Sequence, residues 1–377
     1  VLAARSSSKE GTIMTDAQER SLERVGYDTK GGMNRSASFL IEDESAKEAT
    51  SKEQDLVMAS MREARREYPW VKELEFSLVK RDKDEFTRLV ASHEDAAGNF
   101  IHVARGAKVS FPAQSCFLLK TQRHEQILHN IILLEPGSQL HLITGCTTAS
   151  YRTAGRHVAI TEIFVREKAQ LTYTMVHDWA PEVEVFPRSA ITVAPGGSYI
   201  SNYIALTKVK QIETGPVAIV DAGGTARFNS IIYAKKGSHL DIGGRLLLRG
   251  EGARGEILSR VVAEGSRVIS RGYIEGASAN TKGHMECNGI LLDKTASIYA
   301  IPELEAIDPD TELSHEAAVG KIASEQLNYL MARGLSLDTA RSLIIRGFLD
   351  VKIEGLPLSL QKVIDLMIEQ ATSKEAI

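Results

Sequence analysis

The pattern of apolar and polar positions divides this chain into three stretches. Up to about residue 50 it is polar and aperiodic, rich in Ser, Lys and Glu, until Ser38-Phe39-Leu40-Ile41 breaks the run. That composition predicts a loosely attached segment. Ala46 to Arg66 is predicted to be an exposed helix, with Val57, Met58 and Met61 as its apolar contacts and Tyr68-Pro69 as its stop. Residues 71–100 are charged and mixed, and predict a small cap.

From about residue 100 a short phrase recurs: an apolar strand, a charged or proline corner, a glycine, a small residue, any residue, an apolar residue. It reads LLEPGSQL at Ser138, FVREKAQL at Ala169, VAPGGSYI at Ser198, AKKGSHL at Ser238, VAEGSRV at Ser266 and LDKTASI at Ala296, with a fainter copy, VARGAKV, at Ala107. From Ala107 onward the small residues lie 31, 31, 29, 40, 28 and 30 positions apart. The long interval contains weaker copies near Thr225 and Ala253, so the underlying step is about 14–15 residues, with two steps per repeat of roughly 30. Gly and Pro punctuate the corners because the chain must turn there without Cβ clashes. One coil cannot bury its own apolar face, so coils stack and share a core. A β-helix fits this spacing best; ordinary antiparallel strands with glycine corners are the alternative.

After Pro302 the periodicity turns helical. Ser314 is expected to cap a segment His315–Ile322, EQLNYLMARG to end at Gly334, and LDTARSLIIRGFL to end near Gly347. Leu360, Val363, Ile364 and Met367 then mark a last helix. The expected organisation is mainly β: an N-terminal segment and helical or mixed cap over 1–99, a β-helix over 100–311, and a C-terminal helical domain over 312–377.

Composition narrows the class. The net charge of -4 and pI of about 6.3 give no basic field for nucleic acid. Cys116, Cys146 and Cys287 are too few and scattered for a disulfide framework, which points to a reducing compartment. No apolar run approaches the roughly 20 residues of a membrane span. The opening VLAARSSSKEGTIMTDAQER has no hydrophobic core of secretory type. A cytoplasmic location is expected, with neither membrane nor nucleic acid as partner. GxxxxGK[ST], HExxH and GxSxG are absent, and the paired glycines read as corners, so no enzymatic chemistry is expected.

The chemistry concentrates between His284 and Ile322. Cys287, His315 and Glu316 supply a thiolate, an imidazole and a carboxylate, the ligand types of soft and borderline metals. Cys287 reads equally as a buried cysteine; on a strand His284 and Glu286 cannot both sit beside it. Ser314 and Glu316 fit a helix N-terminus, whose dipole disfavours imidazolium and leaves His315 neutral, the better metal ligand. Cys146 follows a strand and a glycine and is expected at a coil corner. Cys116 precedes it by about one repeat, so the two stack on one wall unless the register slips by a residue. His157 and His177-Asp178-Trp179 lie nearby, and Trp179 reads as a packing residue.

At these residues the chain resembles the SufB/SufD family of iron–sulfur cluster assembly scaffolds. SHEAAVGKIASEQLNYLMARGLSLDTARSLIIRGFL is similar to the family's C-terminal signature, HMECNGILL to its cysteine-bearing strand, and ITGCTTASYRTAGRHVAITEIFV with YTMVHDWAP to the centre of its β-helix. The resemblance covers roughly residues 100–370. It implies a right-handed parallel β-helix, dimerisation through it, and a helical domain that docks a SufC-type ABC ATPase. It implies that Cys287 and His315 hold a transient iron–sulfur cluster near a dimer interface, with Glu316 in the SufB-like branch. Cys146 matches the position that receives sulfur, and His157 and His177 match a sulfur path. Where that branch carries Gln-x-Trp, this chain has His177-Asp178-Trp179. The implied partners are the ATPase, a second copy of the chain or a SufB/SufD paralogue, a sulfur donor and apo acceptor proteins. Two other readings are a polysaccharide-active β-helix enzyme, for which neither an Asp/Arg/Lys groove nor a secretory signal is visible, and a metal-free interaction platform.

Overall fold

The computed structural model describes residues 14–29, 34–150 and 153–349, together with 361, 362, 365, 366, 368 and 369. Leu360, Val363, Ile364 and Met367 of the expected last helix lie outside the described residues. The centre of the chain is a parallel β-helix of about 8 turns built from two ten-stranded sheets. The first sheet runs, in spatial order, β2 (Ser45–Ser51), β1 (Ala37–Glu42), β5 (Ala113–Leu119), β7 (Gln139–Thr148), β9 (Gln170–Asp178), β11 (Ser198–Ala205), β14 (Thr225–Ala234), β16 (Arg254–Ala263), β18 (Lys282–Leu291) and β20 (Glu312–Gly320). The second runs β19 (Ser297–Ala306), β17 (Arg267–Gly276), β15 (His239–Leu248), β12 (Gln211–Glu213), β10 (Glu182–Val193), β8 (Ala154–Val165), β6 (His124–Leu134), β4 (Asn99–Val103) and β3 (Leu56–Ser60), with β13 (Val217–Val220) pairing β10 and β15. From β5 onward the chain alternates between the sheets, with β12 and β13 together forming one pass through the second sheet, giving the expected step of about 14–15 residues. The long interval in the phrase is a change of corner. Ser138, Ala169 and Ser198 open strands of the first sheet, whereas Ser238, Ser266 and Ala296 open strands of the second. The weaker copies near Thr225 and Ala253 open β14 and β16.

One corner position per coil takes a left-handed conformation: Gly106, Gly137, Lys168, Gly196, Gly223, Gly252 and Asn280. Each donates its amide to the carbonyl of the next coil's corner, as from Gly137 to Glu167 at 2.8 Å and from Gly196 to Ala222 at 2.9 Å. The ladder needs that backbone geometry, and glycine adopts it without a Cβ penalty. Inward positions of both sheets form one continuous core, from Phe39 and Ile101 through Leu142, Ile163, Val193 and Leu246 to Met285 and Cys287. Each Leu, Ile or Val buried there contributes about 1.5–3 kcal/mol.

The N-terminal part departs from expectation. Asp16–Arg24 is a helix, α1, with Thr15 and Gln18 forming a capping box. Leu22, Val25 and Tyr27 bury against the outer face of the first sheet, so this segment is anchored. The expected helix over Ala46–Arg66 is two strands, β2 and β3, followed by α2 (Met61–Glu67), which starts at Ser60 through a second capping box. The strands pair antiparallel with β1 and β4 and close one end of the solenoid, a gain in backbone hydrogen bonds that outweighs the helix propensity of Ala, Lys and Glu. The cap is present: α3 (Val71–Leu74) and α4 (Glu85–Ala91) join α2 on the outer face of the second sheet. The buried Glu162 carboxylate pins its connecting loop, accepting from the amides of Phe76, Leu78 and Val79. At the other end α5 (Ser324–Ala332) and α6 (Leu337–Leu349) follow β20, and α6 packs Ile345 and Leu349 on the first sheet. No helix among the described residues is long and apolar enough to cross a membrane.

Candidate functional site

Alternation along β18 decides the surroundings of Cys287. Gly283, Met285, Cys287 and Gly289 point inward, while Lys282, His284, Glu286 and Asn288 point outward. His284 and Glu286 are therefore both absent from the face of the thiol. His284 Nδ1 lies 2.9 Å from Ser314 Oγ, and Glu286 accepts from Asn288 at 2.6 Å. Inside, Cys287 is in register with Ser259, whose hydroxyl lies 3.1 Å from that of Ser270 on the opposite sheet. Burial pushes the Cys287 thiol up, a Ser270 hydrogen bond to its sulfur opposes this, and Glu286 adds to the rise. At neutral pH Cys287 is therefore a thiol.

His315 is not at a helix N-terminus. Residues Glu312–Gly320 form β20, parallel to β18, and the helix begins only at Ser324, where Ala323 offers no side-chain cap. A continuous backbone ladder and the alternation Leu313, His315, Ala317, Val319 override the helical propensity of His-Glu-Ala-Ala. The register places His315 beside Met285 and Ala317 beside Cys287. His315 and Cys287 thus share the inward face on adjacent strands, diagonal to one another, with Cα atoms about 8 Å apart from ordinary sheet spacings. Glu316 points to the other face, opposite Glu286. The expected trio is split, with Cys287 and His315 inside and Glu316 outside. Among the described residues no three His, Cys, Asp or Glu side chains converge in a metal-holding group.

His315 is exposed because no further coil follows. β19 and β20 are the last strands of their sheets, and among the described residues nothing pairs their outer edges. Tyr299, Leu304, Ile307 and Val319 are exposed beside them.

Cys146 lies at the far end of the lumen. It is not at a corner: it sits inside β7, 2% exposed, between Phe117 of β5 and His177 of β9 in the ladder. Cys116 does not stack with it. The register pairs Cys116 with Gly145, a slip of one residue, so Cys116 faces outward beneath α1. Burial pushes the Cys146 thiol up. It also pushes His157 and His177 down to about 3, and His157 lowers His177 further. Both imidazoles are neutral at physiological pH. Trp179, fully buried as its packing role requires, lies between them with ring centroids 4.9 Å from His157 and 5.6 Å from His177. Asp178 turns outward to an ion pair with Arg24 of α1 at 2.6 Å.

A line of inward side chains runs from the neighbourhood of Cys146 to Cys287. Thr144, Met175, Tyr203, Ser230, Ser259 and Cys287 follow one another in register along the inner face of the first sheet. Tyr173, Tyr199, Tyr203, Ser201 and Ser230 line a cavity of about 50 Å³ beside this line. Sequence reasoning passed over Tyr203, Ser230, Ser259 and Ser270. Their signal was a polar residue at inward parity in successive coils, which becomes readable only once the register is known.

The family model for the SUF system FeS cluster assembly SufBD core domain matches residues 117–348. The chain belongs to the SufBD family. Proteins named iron-sulfur cluster assembly SufBD family protein are its relatives. One from Archaeoglobus fulgidus is 45% identical over 365 residues, covering 97% of each chain. One from Methanothermobacter thermautotrophicus is 39% identical over 359 residues, 94% of this chain and 87% of that one. Another from Pyrococcus horikoshii is 33% identical over 321 residues, 84% and 72% of the two chains. This SufBD protein therefore acts in iron–sulfur cluster assembly, and the matched core contains Cys146, His157, His177, Cys287 and His315.

Proposed function

We propose that this SufBD protein is a non-catalytic scaffold that holds a nascent iron–sulfur cluster at the open end of its β-helix, in an interface with a second copy. One observation carries this reading: Cys287 and His315 share the inward face of the last two coils, where among the described residues both sheets end in edges that no strand pairs. Edge strands of this kind pair readily with another chain. A two-fold axis there doubles the ligand set, so the cysteine and histidine of two protomers enclose cargo that one chain leaves open. Thiolate and imidazole suit iron bound to sulfide, and a mixed shell releases a cluster more readily than four thiolates. Glu316, on the outer face, is not in this set. A homodimer needs no paralogue, since one chain supplies both residues.

Two further parts complete the proposal. Sulfur enters at Cys146 and moves toward Cys287 along the luminal line that passes Tyr203, Ser230 and Ser259. An ABC-type ATPase of the SufC kind docks on α5 and α6, whose Tyr329, Met331, Leu337 and Leu343 are exposed. The test is anaerobic reconstitution with ferrous iron and sulfide. Cys287→Ala and His315→Ala are each expected to lose most of the cluster absorbance while staying folded. Wild-type loading in both variants defeats the assignment.

A further inference from the structure

The second sheet parts at one place. β10 pairs β12 through Glu184 and Val185, and pairs β13 only from Ala190 onward. Between these stretches, residues 186–189 keep their ladder to β8 but have none toward residues 214–216. The register is the same on both sides, so strands separate here without an insertion. Pro187 and Pro216 flank the parting and have no amide with which to close it. On the far side β15 holds the segment: the Thr214 amide donates to the Asp241 carbonyl and the Arg245 amide to the Pro216 carbonyl, both at 2.9 Å. Arg188 fills the parting from the outer face. Its guanidinium donates to the carbonyls of Pro187 at 3.2 Å and Glu213 at 2.9 Å, and to the carboxylates of Glu213 and Asp84. A side chain thus stands where a backbone ladder would, and it is only 7% exposed.

The luminal cavity of about 50 Å³ lies directly inside. Pro187, Ser189, Thr214 and Pro216 line it on the side of the parting, and Ser201 and Ser230 line it on the opposite sheet. These four hydroxyl residues are half-buried, whereas the nearby inward positions Val185, Ile191 and Ile232 are closed. The hydroxyls of Ser189, Thr214 and Ser230 have no hydrogen-bond partner among the described residues. None of the lining residues is charged.

We propose that the parting between β10 and the β12–β13 pass is a side port into the lumen, plugged by Arg188, and that the cavity behind it binds sulfide as hydrogen sulfide or hydrosulfide. The cavity has room for a few water-sized molecules and nothing larger. Without charge it cannot offset the desolvation of ferrous ion or of a polyanion. Free hydroxyls, the Met175 thioether and the tyrosine rings suit a small polarisable species. Iron–sulfur assembly has a use for such a supply. Cys146 and Cys287 lie on β7 and β18, about 24 Å apart by strand spacing, with no cysteine between them. Sulfur cannot cross that span from thiol to thiol, and a site midway along it shortens the gap. The inference rests on the scaffold reading for this use, and does not depend on entry at Cys146.

Ser230→Cys places a reporter thiol in the cavity. In the folded protein it is expected to react with methyl methanethiosulfonate at least about a hundredfold faster than the fully buried Cys116, both followed by peptide mass mapping. Arg188→Ala removes the plug and is expected to raise the reporter rate about tenfold, and Ser189→Val narrows the inner mouth and is expected to lower it about tenfold. If Ser189→Val does not fold, Thr214→Leu narrows the same mouth. The methylthio cap left on the reporter then reads sulfide. Hydrosulfide attacks its S–S bond, a persulfide forms and methanethiolate leaves. Cap loss is expected to saturate with sodium hydrosulfide concentration, while the bulky anion tris(2-carboxyethyl)phosphine leaves the cap intact until urea unfolds the chain. Equal reporter rates in all variants would mean entry elsewhere, and reporter and Cys116 rates rising together would mean unfolding. Cap loss to the phosphine, or cap loss linear in hydrosulfide, would mean that no selective site exists. Each of these overturns the inference. Cys146→Ser is expected to leave all these rates unchanged while ending sulfur entry at Cys146, so the port and that entry can fail separately.

Discussion

Two kinds of residue have measurable consequences by themselves. The first is the buried histidine pair. Their folded-state values of about 3 lie below the ordinary 6.5, so the folded protein favours the neutral rings. The stability this lends is complete above about pH 6.5 and is lost as pH falls toward 3. With two protons taken up on unfolding, urea titrations at successive pH values should show stability falling by up to about 2.7 kcal/mol per pH unit in that window. His177→Gln should remove about half of that slope; an unchanged slope would mean the ring is not buried neutral. The second kind is the left-handed corner residue. Lys168 holds φ of 55° where neighbouring coils have glycine. Lys168→Gly removes a conformational cost of about 1–2 kcal/mol, partly offset by the entropy glycine loses on folding. A net gain of about 0.5 kcal/mol in stability is expected, seen as a higher urea midpoint with unchanged m-value.

At the scale of elements, what was legible depended on whether the pattern was local. The strands from β5 to β19 and the helices α5 and α6 announce themselves through corner phrases, caps and periodicity, because these features act within a few residues. β20 did not. His315-Glu316-Ala317-Ala318 is good helical sequence, and only the ladder offered by β18 makes it a strand. β2 was misread for the same reason, since its partner β1 is what gives Ala46–Ser51 an extended form. α1 was hidden because its stability lies in docking. Gly145 permits that docking: a Cβ there would lie 2.4 Å from Val25 Cγ2. Gly145→Ala should therefore lift α1 from the sheet at a cost of about 1–3 kcal/mol. Limited proteolysis checks this, with cleavage expected between residues 16 and 29 while the β-helix core stays resistant.

The whole molecule has unequal ends. Antiparallel β2 and β3 close the N-terminal end, whereas among the described residues no strand pairs the outer edges of β19 and β20, which carry exposed apolar residues. That asymmetry among the described residues is what supports placing the proposed interface at the end formed by β19 and β20. Leu304→Lys with Val319→Lys places charges on inward-facing but exposed positions of the last strand of each sheet. If the proposed dimer forms here, sedimentation velocity should show it for the wild type and a monomer for the double variant, with cluster loading falling with the dimer fraction. A dimer that persists would locate the interface elsewhere.

The sequence by itself determined the repeat, the corners, the family resemblance and the choice of Cys146, His157, His177, Cys287 and His315 as candidate residues. Those are properties of composition and short-range spacing, which survive without knowing the partners of any strand. Only the tertiary structure decided which residues face one another. Sidedness in a parallel sheet turns on a register of single residues, and a slip of one put Cys116 beneath α1 and left Cys146 in the lumen. The same rule separated Glu316 from His315 and aligned Tyr203, Ser230 and Ser259 with Cys287. Facing is a property of neighbouring coils roughly 30 residues apart, and no local pattern records it to the single residue that chemistry requires.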